Sequence, residues 1–293
     1  MNNRILIVGS GVIGSIMGSL FSKSNQTVCM YARGLRLKEL QEKGLLYYDD
    51  GEVKQGDVQI VDTICHETFY DFVFVTVRYE QIESALEQIK NVNCENIVTM
   101  VNNPNGYDKW GCIVGKGRII PAFPGAGGKI ENGILDFKIT PRFIQTTILG
   151  EISGEKTERI ERLASIFKKA GIPYTLSIDM EAWQKSHLAL VLPLANGIYK
   201  DGGDNFTTSK NNLALRYMAS SLKGNFSKLK SAGIKITPSK FHLLLYIPTP
   251  ILIFCLRRLY STNLAGTVIC EHALNAKQEM HALDEGFTHM INR

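Results

Sequence analysis

The chain has 293 residues, 44% apolar and 21% charged, with a net charge of +5; these are the proportions of a soluble globular protein long enough for two cores. So mild a positive balance, without a long basic block, gives no reason to expect a nucleic-acid partner. The six cysteines, at 29, 65, 94, 112, 255 and 270, show no CxxC and no paired metal spacing; they are read as reduced thiols, with no metal site, in a chain that starts without a secretory leader and is expected to be cytoplasmic.

The first element is the most specific. An apolar run, Ile5 to Val8, reads as a buried parallel strand and leads directly into Gly9-Ser-Gly11-Val-Ile-Gly14. Ile13, Ile16, Met17, Leu20 and Phe21 then recur at helical spacing. Strand, GxGxxG and helix in this order form a dinucleotide-phosphate loop: one glycine for the tight turn, one for close approach of the pyrophosphate, one for helix-to-sheet packing. Cofactor contacts are therefore expected along Gly9, Ser10, Gly11, Val12, Ile13 and Gly14.

The second strand, Thr27 to Tyr31, ends without the Asp or Glu that would hold the ribose hydroxyls of NAD. Arg33 stands there instead, nineteen residues after Gly14, where a guanidinium can pair with a 2'-phosphate. The cofactor read from this end is NADP, as NADPH.

Tyr47-Tyr-Asp-Asp-Gly51 suggests a small hairpin after the second helix. Further strands are expected over Asp71 to Val77, Ile97 to Val101, Arg118 to Phe123, Phe143 to Leu149 and Pro173 to Ser177, with helices over Tyr79 to Ile89 and Glu155 to Ala170. The glycine-rich loop Pro121 to Gly128 is read either as a backbone approach to the ligand or as a tight crossover. After Asp179 the strand pattern stops and helical periodicity takes over. The fold class expected is α/β: a Rossmann-like doubly wound domain over 1–178, then an all-helical domain over 179–293 for substrate and dimerisation.

Phe241 to Leu256 is apolar but too short for a membrane span and interrupted by Pro248 and Pro250. It is expected as two short buried helices in the second core or at a homodimer contact, with no membrane partner. In the last helix Ile269, Ala273, Ala276, Met280, Leu283, Phe287 and Met290 mark one buried face.

The segment Glu181-Ala-Trp183-Gln-Lys185 opens the second domain. Here the chain resembles the ketopantoate reductases (2-dehydropantoate 2-reductases), over most of residues 1 to 200. The resemblance implies an NADP-dependent oxidoreductase that reduces 2-dehydropantoate to pantoate, a step of pantothenate biosynthesis, with Lys185 of the Trp-x-Lys motif as general acid. It also implies cofactor contacts from Arg78 and Gln81 in Thr76-Val-Arg78-Tyr-Glu-Gln81, where Arg78 replaces the usual Lys, and from Asn103 of Asn102-Asn103, followed by Pro104 where the family has Gly.

The departures lie toward the substrate. One and two helical turns after Lys185, where the family has asparagines, this chain has Ala189 and Pro193. Asn196 falls on nearly the same helix face and is the expected substitute. In place of the family's C-terminal glutamate stands Cys270-Glu-His272-Ala-Leu-Asn275-Ala-Lys-Gln-Glu279, from which His272 or Glu279 is expected to meet the substrate. The reading is reduction of a 2-oxo acid, 2-dehydropantoate or a relative. Its alternative is a non-catalytic NADPH-binding sensor or interaction protein.

Overall fold

The computed structural model describes residues 2–201 and 203–292, and the side chains of 201, 264, 267, 268, 271 and 272 lie outside the described residues. Two compact units divide the chain: 1–101 with 107–180, and 102–106 with 181–293.

The first unit is built on an eight-stranded sheet. Its strands are β1 (Arg4–Val8), β2 (Thr27–Tyr31), β5 (Val58–Val61), β6 (Phe72–Val75), β7 (Ile97–Thr99), β8 (Ile119–Phe123), β11 (Thr147–Leu149) and β12 (Tyr174–Leu176), in the order β12-β11-β8-β7-β6-β1-β2-β5. All pairs are parallel except β11 with β8. From β5 to β8 this is the doubly wound order, with its reversal between β1 and β6. Continuous apolar runs, Ile5–Val8 and Phe72–Val75, suit strands covered on both faces.

Helix α1 (Val12–Lys23) follows β1, and α2 (Gly34–Lys43) follows β2. A second sheet, β4-β3-β10-β9, joins two hairpins, β3 (Leu45–Asp49) with β4 (Glu52–Gly56) and β9 (Ala126–Glu131) with β10 (Ile134–Ile139). The hairpin expected at Tyr47–Gly51 is the first of these. The loop Pro121–Gly128 is mostly strand: β8 runs into β9, and a Cβ at Gly128 would stand 2.7 Å from the Phe137 Cα of β10.

Helix α1 touches strands of both sheets and is buried nearly all round. Beneath it Phe21, Phe74 and Phe167 form a triangle, Phe21 and Phe167 meeting edge to face at 5.4 Å between centroids. Phe167 belongs to α5 (Glu158–Lys169), which Thr157 caps. The opposite face of the sheet is covered by α3 (Ile82–Ile89) and α4 (Asp108–Val114). Its loops are gathered by one side chain. The Arg118 guanidinium donates to the carbonyls of Lys90, Val92, Cys94 and Val114 at 2.6–2.9 Å.

The second unit is helical: α6 (Met180–Asp201), α7 (Asn205–Lys210), α8 (Asn212–Ser231), α9 (Leu243–Tyr246), α10 (Thr249–Tyr260), α11 (Asn263–Ala265), α12 (Glu271–Asn275) and α13 (Lys277–Ile291). No described residue after Leu176 is in a strand. The last helix expected as one piece is two, joined by a break at Ala276, with a π-helical turn over Gly266–Cys270 before them. Its apolar face persists across the break, with Ala273, Ala276, Met280, Leu283 and Phe287 buried. The segment expected as two buried helices does fold as α9 and α10, but α9 buries none of its residues and Leu243, Tyr246, Ile251 and Phe254 are exposed. Only Leu252, Leu256 and Tyr260 face inward, because helical spacing turns the other apolar positions away. Among the described residues no helix is long and apolar enough to cross a membrane.

Losing the Arg118 hydrogen bonds leaves several partly buried carbonyls without their donor at once. Arg118→Ala is expected to cost about 3 kcal/mol and to lower the Tm by roughly 6–12 °C in thermal denaturation followed by circular dichroism, with Arg118→Lys recovering less than half.

Candidate active site

In the first unit the glycine loop occupies the carboxyl ends of β1 and β6, at the point where strand order reverses. Gly9 has φ +110° and packs on Thr76, whose hydroxyl donates to the Gly9 carbonyl at 2.7 Å. A Cβ on Gly14 would stand 1.8 Å from the Gly9 oxygen and 2.7 Å from Thr76 Oγ1, so α1 crosses the turn closer than any side chain allows. Gly11, the N-cap of α1, has nothing within 4 Å of its missing Cβ. No side chain caps this helix and no acidic residue lies in its first turn. An open glycine at an uncapped helix N-terminus is a cradle for a phosphate group, and the residues present fit a dinucleotide.

Around this loop, Arg33 is the extended, exposed N-cap of α2. Arg78 and Gln81 are exposed at the single 3-10 turn that follows β6. Sequence spacing missed Arg36, which lies against the loop: its Nε donates to the Ser10 carbonyl at 3.2 Å and its Nη2 to Ser15 Oγ at 3.3 Å. Thr99, at the end of β7, is buried, and its hydroxyl has no hydrogen-bond partner among the described residues.

The second unit holds Lys185. Residues 182–189 of α6 are all buried except Lys185, whose side chain is 14% exposed. Its Nζ is paired with the carboxylate of Glu181, one turn back. Trp183 and His187 stack at 5.0 Å between ring centroids, and Ser186 Oγ accepts from the Thr237 amide at 3.0 Å. The turn is thus anchored on three sides, with the ammonium as its polar outlet.

Residues 102–106 follow β7 in sequence yet pack with these helices. The Asn103 amide donates to Gln184 Oε1 at 3.3 Å, while its side chain closes its own loop, donating to the Gly106 carbonyl and accepting from the Asn105 amide. Pro104 sits against Gly286 of α13, where any Cβ would meet the ring at 2.8 Å. Asn102 is buried and its Oδ1 has no hydrogen-bond partner among the described residues.

The positions one and two turns after Lys185 are closed. Ala189 and Pro193 are buried, and Pro193, lacking an N–H, leaves the Ala189 carbonyl to accept from Asn225 Nδ2 at 3.5 Å. Asn196, the expected substitute, lies roughly 16 Å along α6 from Lys185 at about 1.5 Å per residue and donates to Asp284 of α13 at 3.1 Å. Glu279 is buried on α13. The His272 side chain lies outside the described residues.

A profile of the family "Ketopantoate reductase PanE/ApbA" matches residues 5–154. The chain belongs to this family. Two relatives are 2-dehydropantoate 2-reductases. That of Mesorhizobium japonicum is 27% identical over 208 residues, 62% of this chain and 63% of the relative. That of Pyrococcus horikoshii is 22% identical over 208 residues, 68% and 67%. The Mesorhizobium match therefore spans less than two thirds of that protein's length. The fold matches solved structures end to end: 2-dehydropantoate 2-reductase of Geobacter metallireducens (TM-score 0.69, 18% identity, 99% of both chains) and a ternary complex of D-mandelate dehydrogenase (TM-score 0.71, 15% identity, 99% and 98%).

The glycine loop makes its own test. Alanine in a helix ordinarily gains about 1 kcal/mol over glycine, but Gly14→Ala is expected to lose about 1–3 kcal/mol by overpacking, read as a fall in Tm where propensity alone predicts a rise.

Proposed function

We propose that the chain is an NADPH-dependent reductase that converts a 2-oxo acid, 2-dehydropantoate or a related acid, to its 2-hydroxy acid, with Lys185 as general acid. The observation that carries this reading is the setting of Lys185: one largely buried cation in an otherwise fully buried turn, held by a single exposed carboxylate. Desolvating a lysine is costly, and a purely solvated helix face has no use for it.

A nicotinamide dinucleotide at the glycine loop supplies a hydride to the carbonyl carbon. The protein's part is to answer the charge that then grows on the oxygen. The Lys185 ammonium offsets that charge and passes its proton to the oxygen. Glu181 holds the ammonium until the substrate oxygen replaces it, and Asn103 steadies Gln184 beside it. Arg33 just past the end of β2, a strand that does not itself end in Asp or Glu, supports a 2'-phosphate and hence NADP, and Arg78 and Gln81 are assigned to the same cofactor. The buried oxygens of Thr99 and Asn102 are further groups we assign to the cofactor. The relatives' name, and a fold neighbour solved with NADH and anilino(oxo)acetate, support the substrate class. With Ala189 and Pro193 closed off, Glu279 and His272 on the C-terminal helices are the groups we assign to the acid.

The test is NADPH oxidation, followed by absorbance, with ketopantoate and a panel of other 2-oxo acids. Lys185→Ala is expected to lower kcat at least ~100-fold while NADPH affinity changes less than about twofold. Tight NADPH binding with no turnover of any acid overturns the reductase in favour of a cofactor-binding protein.

The same reading includes a homodimer. The exposed Leu243, Tyr246, Ile251 and Phe254 form the apolar surface we assign to it. Light scattering is expected to give twice the chain mass, and Phe254→Asp to halve it.

A further inference from the structure

Arg33 and Arg36 are three residues apart, carry the same charge, and stand differently. Arg33 is exposed at the mouth of α2, its side chain without a hydrogen bond or ion pair among the described residues. Arg36 is folded back on the glycine loop, with its side chain 17% exposed. Its three contacts are specific: the Ser10 carbonyl, the hydroxyl of Ser15 in the first turn of α1, and the carboxylate of Glu39. The buried Ser15 hydroxyl donates to the same Ser10 carbonyl at 3.3 Å.

The Ser10 carbonyl therefore accepts from two donors, one of them a cation. Its peptide unit carries the N–H of Gly11, the residue that faces open space at the head of α1. A charged donor on a carbonyl polarises its peptide and makes the N–H at the other end a stronger donor. We propose that Arg36 is a positioning residue of the phosphate loop: through Ser10 and Ser15 it fixes and polarises the Gly11 peptide for the pyrophosphate, and it does not read the 2'-phosphate. Glu39 sets how strongly it acts. Its carboxylate neutralises part of the guanidinium's charge and is held in place against Gly133, where a Cβ would stand 2.7 Å from it.

This rests on the dinucleotide reading above and divides its work. Arg33 is left for the 2'-phosphate that separates NADPH from NADH. Arg36 serves what NADPH, NADH and ADP share.

Calorimetry of the full chain with those three ligands, at fixed ionic strength, tests it. Arg36→Ala is expected to weaken all three alike, about tenfold, with an unchanged Tm. Arg36→Lys, whose single ammonium cannot span Ser10 and Ser15, is expected to recover less than half of the loss on a logarithmic scale. Glu39→Ala is expected to tighten all three two- to threefold. Arg33→Ala is expected to weaken NADPH alone. A loss in Arg36→Ala confined to NADPH makes Arg36 a 2'-phosphate ligand and overturns the proposal, as does an unchanged affinity for all three. If wild type binds ADP but neither nicotinamide dinucleotide, and Arg36→Ala weakens ADP, the cofactor reading fails while the role of Arg36 stands.

Discussion

The contact on which the first unit depends is the crossing of α1 over the turn that precedes it. With glycine at 9 and 14, the helix axis comes so near β1 and β6 that backbone meets backbone. Everything after that is placed by it. The N-terminus of α1 opens where the strand order reverses, its flank carries the small sheet of two hairpins, and its underside receives Phe74 and Phe167. Close packing of this kind leaves no slack to be taken up elsewhere, so loop, helix and small sheet form one rigid platform.

In the second unit one helix carries both an anchored polar turn and a proline-interrupted stretch of packing. α6 retains the turn that presents Lys185, with stacked rings and a capped serine behind it. Two turns on, proline removes an amide, and Asn225 from α8 makes good the carbonyl that results. Both Ala189 and Pro193 are interior packing.

Much of this architecture was legible in the sequence because its signals are local. Continuous apolar strands and glycines at fixed spacing announce themselves, and the hairpin turn at Tyr47–Gly51 needs only its own residues. The strands that escaped notice lack such signals. β5 is a short, half-exposed edge strand, and β9, Ala-Gly-Gly-Lys-Ile-Glu, has almost no apolar alternation and exists through its pairing with β10. The apolar Phe241–Leu256 stretch misled in the other direction, since composition reports how much surface is apolar and not which side is covered. At the site, Lys185 stood out only through resemblance, because one lysine on a helix carries no spacing signal. Arg36 carries no spacing signal for a related reason: the rule that singles out Arg33 counts residues from the loop, whereas Arg36 reaches back to it through a long side chain.

The assignment of Asn102–Gly106 to the helical unit has a topological consequence. The peptide chain passes from one compact unit to the other three times, at 101–102, 106–107 and 180–181, so the helical unit is not a contiguous C-terminal piece. A fragment starting at Glu181 would lack the strand-linked pentapeptide that donates to Gln184 and fills the notch at Gly286. Cutting the chain at its longest boundary therefore separates sequence without separating folding units, and swapping the helical half between relatives would need both segments exchanged together.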